Sequence, residues 1–210
     1  MSRLGDFAVV ILAAGRSVRM GDRNKLLEQV GGKPLLAHSL ATIASLAPGQ
    51  MIVVTGHEQE RIGGLAVQFG ARAVHNASYR DGMGASLACG ARAVDAQAQL
   101  QVQIQGVFIH LGDVPFVSPD TFLELESALG ADQDRINQVF VPVHKGRRGH
   151  PVLFRGEMLP LLRELRGDEG ARRVIGMHHC LEVEVDDPAI DRDMDTLADL
   201  ATLSSRAATR

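Results

Sequence analysis

The sequence predicts an α/β fold in which a doubly wound, mostly parallel sheet carries helices on both faces. Two observations support this prediction. Short apolar, β-branched segments alternate along the chain with segments whose apolar residues recur every three or four positions. The connections between these segments are short, and such alternation favours a parallel sheet covered by helices on its two sides.

The first half of the chain shows this alternation clearly. Residues 7–12 form a continuous apolar run that ends at a glycine-containing loop, as expected for a strand buried on both faces. Apolar residues at helical spacing span 35–46 and stop before Pro48-Gly49. Further strands are predicted at 51–54, 71–75 and 107–111, and further helices at 62–69, 86–94 and 120–129, the last with Ser118-Pro119 as its N-cap and first turn.

The second half continues the pattern with less regular spacing. Residues 96–105 are rich in Gln and Ala, and they are predicted to be either a loop or an extension of the preceding helix. The sequence shows no internal repeat, so residues 1–203 are predicted to form one domain and 204–210 a C-terminal tail. Strands are predicted at 139–143, 152–154 and 181–185, and helices at 158–165, at 171–177 and from Leu197 onward.

Composition and charge favour a small-molecule ligand in the cytoplasm. A net charge of −3 gives no overall attraction to nucleic acid or to an anionic membrane. Tyr79 is the only tyrosine and tryptophan is absent, which argues against stacking platforms for single-stranded nucleic acid. The longest apolar stretch, residues 7–14, is too short to span a bilayer, and Cys89 and Cys180 suggest no disulfide scaffold.

The loop after the first strand is the strongest candidate for an anion site. Residues 13–21 contain two glycines and two alanines, which allow a ligand to approach the backbone closely. Residues 15–33 hold five basic side chains against two acidic ones, an excess of three positive charges. Neither standard phosphate motif, Walker A or Gly-x-Gly-x-x-Gly, is present. Phosphate is the expected occupant, and a plain connection with solvated arginines is the alternative.

Several motifs are distributed along the chain. The first motif is Leu12-Ala13-Ala14-Gly15-x-Ser17-x-Arg19-Met20-Gly21, followed by Asn24-Lys25-Leu26-Leu27. The later ones are Asn76 with Gly82-Met83 and Ser86-Leu87, Leu111-Gly112-Asp113-Val114-Pro115, Gly149-His150-Pro151-Val152, Gly167-Asp168-x-Gly170-Ala171-Arg172 and Asp193-x-Asp195-Thr196. These motifs resemble those of MobA-like nucleotidyltransferases, and the chain is most similar to the molybdenum cofactor cytidylyltransferases among them. The likeness extends almost to the C-terminus, and departures at Val114 and Met194 remove no ligand.

This resemblance implies a Rossmann-like fold, CTP as the nucleotide and Mg²⁺, or Mn²⁺ in its place, as the cofactor. The implied reaction transfers CMP to the terminal phosphate of Mo-molybdopterin and releases pyrophosphate. The resemblance also implies a transient protein partner, an apo-oxidoreductase of the xanthine dehydrogenase type that receives the finished cofactor. Neither nucleic acid nor a membrane is expected as a partner.

The resemblance also assigns roles to individual residues. Arg19, Lys25 and Asp113 are expected to be catalytic, with Arg19 on the leaving phosphates and Lys25 between the α- and β-phosphates. Asp113 and Asp195 are expected to hold the metal. Residues expected to bind the nucleotide are Leu12, Ala13, Ala14, Gly15, Ser17, Gly21 and Gly112. His150, Asp168 and Arg172 are expected on the pterin side because they come from the second half of the sheet, with Arg147 and Arg148 as further candidates for its phosphate. His150 is equally compatible with a hydrogen-bonded turn, and Arg147 and Arg148 with plain surface charge.

Other interpretations of these residues stay open at the level of sequence. Asp113 is also compatible with a turn or cap, and Asp195 with a helix N-cap. Asp191, Asp193 and Asp195 would share one side of the chain if the segment were extended. His178-His179-Cys180 is predicted to be structural, because no second cluster has the spacing of a zinc site.

Three other functions are compatible with parts of the sequence. The first is a guanylyltransferase, or a transferase acting on a sugar or alditol phosphate, from the same superfamily. The second is an oxidoreductase that places a dinucleotide on the loop, although the Gly-x-Gly-x-x-Gly pattern is missing. The third is a carrier that binds finished cofactor without chemistry, which the intact set of Lys25, Asp113 and Asp195 disfavours.

Overall fold

The computed structural model describes residues 4–15, 24–97, 104–167 and 170–194, so the helix predicted from Leu197 and the tail at 204–210 lie outside the described residues. The strands in these described residues are β1 (Phe7–Ala13), β2 (Gln29–Val30), β3 (Lys33–Pro34), β4 (Gln50–Thr55), β5 (Arg72–His75), β6 (Gly106–Leu111), β7 (Val139–His144), β8 (Arg147–Arg148), β9 (Val152–Arg155) and β10 (Cys180–Glu184). The α-helices in the same residues are α1 (Leu35–Ser45), α2 (Gln59–Gln68), α3 (Met83–Gln97), α4 (Pro119–Ala131), α5 (Leu159–Arg163) and α6 (Gly170–Met177).

The main sheet has eight strands in the order β10-β7-β9-β6-β1-β4-β5, with β8 paired to β7. Strand β1 runs parallel to both β4 and β6, and β4–β5 and β7–β10 are also parallel pairs. Strand β9 runs antiparallel to β6 and β7. The connection from β7 to β9 is too short for a crossover helix, so β9 returns against its neighbour. The predicted mostly parallel sheet is confirmed.

The two faces of the sheet carry separate hydrophobic cores. Along β1, Val9 and Ile11 belong to the core shared with α1, α2 and α4. The alternate residues Ala8 and Val10 belong to the core shared with α3, α5 and α6. Because side chains alternate along a strand, one apolar run supplies both cores. Helices therefore cover both faces, as predicted.

The element predictions agree with the structure to within a few residues in the described parts of the chain. Ser118 accepts a hydrogen bond from the backbone N–H of Asp120, and Pro119 occupies the first turn of α4. The beginning of the stretch 96–105, predicted to be a loop or a helix extension, is helical, because α3 continues to Gln97. The short 3₁₀ turns at Lys25–Leu27 and Tyr79–Asp81, the β2–β3 hairpin and β8 were not predicted.

No helix in the described residues combines the length and apolar composition that crossing a membrane requires.

Candidate nucleotide site

A cleft of about 310 Å³ opens at the carboxyl ends of β1 and β6. Five residues predicted from the sequence lie in its wall, so the two motifs that carry them meet in space. The wall is formed by Leu12, Ala14, Gly15, Lys25, Leu26, Tyr79, Gly82, Met83, Ser86, Leu111 and Asp113.

The two motifs meet because β1 and β6 are adjacent parallel strands. Leu12 is aligned with Leu111, and the N–H of Gly112 donates to the Leu12 carbonyl over 3.0 Å. A Cβ on Gly112 would lie 3.1 Å from Leu36 and 3.2 Å from the Leu12 carbonyl oxygen. Gly112 therefore lets the loop pass close to β1, and Gly112 and the buried Ala13 lie behind the cleft wall.

Lys25 and Asp113 form an ion pair inside this cleft. The Nζ of Lys25 lies 2.7 Å from a carboxylate oxygen of Asp113, and the two side chains are 14% and 24% exposed. Lys25 begins a 3₁₀ turn whose N-cap is the buried Asn24, which accepts a hydrogen bond from the N–H of Leu26. Leu26, which follows Lys25 in the sequence, is also buried. The buried neighbours hold this turn and so fix the position of Lys25.

The opposite wall comes from the segment that enters α3. The amide of buried Asn76 donates to the hydroxyl of Ser86 over 3.1 Å and accepts from the N–H of Ser78. Tyr79 packs against Gly56, where an added Cβ would lie 2.6 Å from the Tyr79 Cβ. The sequence motifs include Asn76 and Ser86, but no role in the site was predicted for either residue. Tyr79 and Gly56 were missed, because no local pattern joins them.

Two histidines lie behind Asp113 and outside the cleft wall. Burial lowers the pKa of His150, and Arg172 adds to this, whereas the Ile109 carbonyl and Asp113 oppose it. The pKa of His110 is lowered to about 3, mainly by burial and also by His150, while a backbone hydrogen bond with Val114 opposes the shift. Both imidazoles are therefore neutral near pH 7, and neither supplies a positive charge to a phosphate.

The candidates for the pterin side are spread over several elements. Arg147 pairs with Asp191 over 3.1 Å, and Arg148 pairs with Glu182 over 2.6 Å. Arg172 lies exposed on α6. Residues 188–191 form a turn, so the extended conformation that would align Asp191 with Asp193 is not present at Asp191.

Five predicted site residues lie outside the described part of the chain. These are Ser17, Arg19, Gly21, Asp168 and Asp195. The described chain ends at Met194, whose N–H donates to the Asp113 carbonyl over 2.9 Å. The segment that leads to Asp195 is therefore anchored at Asp113.

The described residues can supply part of a magnesium site. They contain no group of three or more His, Cys, Asp or Glu side chains able to hold a metal ion. Mg²⁺ in nucleotide enzymes is typically held by one or two carboxylates together with substrate phosphates, so Asp113 in the cleft fits this arrangement.

His178, His179 and Cys180 lie between α6 and the start of β10. Burial raises the pKa of the Cys89 and Cys180 thiols.

A family model and a curated relative match most of this chain in sequence. The sequence model of the MobA-like NTP transferase domain matches residues 9–183. The bifunctional protein GlmU of Dinoroseobacter shibae is 33% identical over 147 residues, which cover 69% of this chain and 31% of that protein. The chain thus spans about a third of that curated relative.

Two solved structures share the fold over nearly the whole chain. Rv0371c of Mycobacterium tuberculosis H37Rv in complex with manganese has a TM-score of 0.71 and 24% identity, covering 95% of this chain and 98% of that one. Molybdopterin-guanine dinucleotide biosynthesis protein A of Archaeoglobus fulgidus has a TM-score of 0.67 and 15% identity, covering 97% and 100%. At these identities the comparison establishes a common fold.

Proposed function

The chain belongs to the MobA-like NTP transferase domain family, and from this premise we propose that it transfers CMP from CTP to the terminal phosphate of Mo-molybdopterin. The products would be molybdopterin cytosine dinucleotide and pyrophosphate. The observation that carries the proposal is the Lys25–Asp113 pair, 2.7 Å apart in a cleft that begins at the Ala14-Gly15 loop. The sequence motifs shared with the cytidylyltransferases support the choice of substrates.

Lys25 and Asp113 have complementary roles in this proposal. The Lys25 ammonium would offset negative charge between the α- and β-phosphates, because a positioned cation stabilises charge that develops during transfer. Asp113 would hold Mg²⁺ or Mn²⁺, which supplies charge compensation on the phosphate oxygens. The manganese bound by Rv0371c supports a divalent metal in this fold.

Asp195 is proposed as the second carboxylate on the metal. The hydrogen bond from Met194 to Asp113 supports this role, because consecutive Cα atoms are only about 3.8 Å apart. Arg19 and the N–H groups of the loop that contains Ser17 and Gly21 would hold the departing phosphates. These roles extend the sequence motif to residues that the structure does not describe.

The proposed reaction is an in-line displacement at the α-phosphorus. An oxygen of the acceptor phosphate forms the new P–O bond, and the bond between the α-phosphorus and the bridging oxygen breaks as pyrophosphate leaves. A phosphate monoester is already an anion at neutral pH, so no general base is needed. The positions of His110 and His150 outside the cleft wall agree with this. The protein's task is alignment and charge compensation.

The acceptor would lie on the side of the cleft nearest α3 and α6. The N–H of Gly84, in the first turn of α3, donates to the Gly167 carbonyl over 2.8 Å. A Cβ on Gly84 would lie 2.7 Å from the same carbonyl oxygen, so only glycine permits this approach. The loop leading to Asp168 is thus held beside Met83, which lines the cleft. Asp168 and Arg172 are proposed to contact the pterin substrate.

Pyrophosphate release tests this assignment directly. The purified chain would be incubated with Mg²⁺, Mo-molybdopterin and each of CTP, GTP, UTP and ATP in turn. We expect pyrophosphate and a cytosine dinucleotide product with CTP, and no product when the acceptor is omitted. Efficient turnover only with GTP, or only with a sugar or alditol phosphate as acceptor, would replace this proposal with the corresponding transferase of the same family.

A further inference from the structure

One loop holds both ends of the segment that follows β6. This loop, residues 186–194, is called the clamp loop here. At one end of the held segment, a carboxylate oxygen of Asp187 accepts hydrogen bonds from the Ser118 N–H over 2.7 Å and from the Thr121 hydroxyl over 2.9 Å. At the other end, the Met194 N–H donates to the Asp113 carbonyl over 2.9 Å. The position of residues 113–118 therefore depends on the clamp loop.

Asp187 is a buried carboxylate whose three described hydrogen-bond donors are all uncharged. Its side chain is 7% exposed, and its second oxygen accepts from the Ala189 N–H over 2.9 Å. Burying a charge costs free energy that hydrogen bonds and a helix N-terminus partly offset. Ser118 already caps α4 through its own hydroxyl. Asp187 adds a link between the clamp loop and α4, which a simple cap would not provide.

The clamp loop also contacts the Gly149-His150-Pro151-Val152 motif. The N–H of His150 donates to the Ile190 carbonyl over 2.7 Å. A Cβ on Gly149 would collide with the same carbonyl group, so Gly149 allows the close approach. A displacement of the clamp loop would therefore move Asp113 and His150 together.

We propose that Asp187 is a positioning residue that sets the Asp113 carboxylate for the divalent metal. It acts by holding the backbone of residues 113–118 in place, so that the Asp113 carboxylate stays beside Lys25 in the cleft wall. The inference rests on the proposed function, since it takes Asp113 as a metal ligand. Residues that orient metal ligands typically change metal affinity about 10- to 100-fold when they are replaced.

The test compares the two carboxylates that accept hydrogen bonds at the two ends of α4. Asp187 lies at its N-terminus, and Asp132 at its C-terminus accepts hydrogen bonds from the Asn137 N–H and from Arg155. Mn²⁺ binding would be measured by electron paramagnetic resonance with and without CTP, and thermal midpoints by circular dichroism. We expect Asp187→Ala to weaken Mn²⁺ binding at least about tenfold. Asp132→Ala should leave Mn²⁺ affinity within about twofold of wild type despite lowering the thermal midpoint.

Two further variants separate the possible outcomes. Thr121→Val removes one of the three hydrogen bonds to Asp187 and should weaken Mn²⁺ binding by a smaller factor even if Asp187→Ala does not fold. Asp113→Ala should lose Mn²⁺ binding. If Asp113→Ala loses Mn²⁺ binding but neither Asp187→Ala nor Thr121→Val weakens it, the positioning role is overturned. The same holds if Asp132→Ala weakens Mn²⁺ binding as much as Asp187→Ala does. If Asp113→Ala binds Mn²⁺ normally, the metal assignment within the proposed function fails, and the positioning role fails with it.

Discussion

Two carboxylate–cation pairs of almost equal length lie in contrasting surroundings in this chain. Lys25 and Asp113 are 2.7 Å apart in the cleft, with side chains 14% and 24% exposed. Arg155, the last residue of β9, and Asp132, which follows α4, are 2.8 Å apart at the edge of the main sheet opposite the cleft. Their side chains are 3% and 10% exposed. The distance alone does not distinguish the pair that joins two elements from the pair that lines a cleft.

The difference lies in what else each pair contacts. Arg155 also donates to the carbonyls of Asn137 and Asp132, and its guanidinium lies 5.5 Å from the centre of the Phe140 ring. Its donors are directed to protein groups, which is typical of a structural link between β9 and the end of α4. Lys25 and Asp113 instead keep surface that faces a cleft large enough for a small molecule. Accessible surface at the pair is what permits chemistry.

Replacing the cleft pair should have the largest effect. We expect Lys25→Met or Asp113→Asn to lower the rate of pyrophosphate release by at least about 10²-fold, because each removes charge compensation at the transferred phosphate. The thermal midpoints of both variants should fall less than those of variants in the Arg155–Asp132 pair, since the cleft pair is the more exposed of the two. Circular dichroism would check the folding of each variant. Turnover near the wild-type rate in either one would contradict the catalytic assignment.

Replacing the structural pair should affect stability instead. We expect Arg155→Met to lower the free energy of unfolding, because it removes the hydrogen bonds from the buried guanidinium to the Asp132 carboxylate and to the Asn137 and Asp132 carbonyls. Urea unfolding followed by circular dichroism measures this loss, and kcat should stay near wild type under conditions where the variant is folded. An unchanged unfolding curve would show that the buried pair contributes no net stability.

His110 sharpens the comparison, because it lies on the strand that presents Asp113 but is buried as completely as Arg155. Its pKa in the folded protein is about 3, below the ordinary value of 6.5. As the pH falls below about 6.5, the unfolded chain binds a proton that the folded protein excludes. The stabilising contribution is therefore complete above pH 6.5 and decreases toward pH 3.

From this shift we expect His110→Gln to reduce the acid sensitivity of the fold. The loss of stability that His110 causes between pH 7.5 and pH 5 should amount to about 2 kcal/mol. Urea unfolding of wild type and variant at both pH values would isolate the contribution of this residue. Equal pH dependence in the two proteins would mean that His110 is protonated in the folded state or that other groups dominate.

Much of the fold follows from local sequence patterns. The apolar run of β1 and the helical spacing of α1 predict those elements without reference to distant residues, because burial imposes their periodicity. The direction of β9 could not be predicted in this way, since an apolar segment has the same pattern in either orientation. The 3₁₀ turn at Lys25–Leu27 was also missed, because three residues are too few to show a period.

Some residues of the candidate site could also be predicted from the sequence, and others could not. The motifs predicted Lys25 and Asp113, and the structure places both in one cleft. Tyr79 and Gly56 could not be predicted, because their contact depends on how the segment before α3 passes β4. The roles assigned to Arg19, Asp168 and Asp195 stay predictions.

The sequence by itself determined the order of strands and helices, the positive charge of the first loop and the family motifs. These properties are local, and they are encoded by the spacing and type of neighbouring residues. Tertiary structure decided that Lys25 pairs with Asp113, that Asp187 holds the segment after β6, and that Arg155 and Asp132 are mainly structural. Each of these contacts joins residues that are distant in the chain, so strand order and side-chain burial decide them.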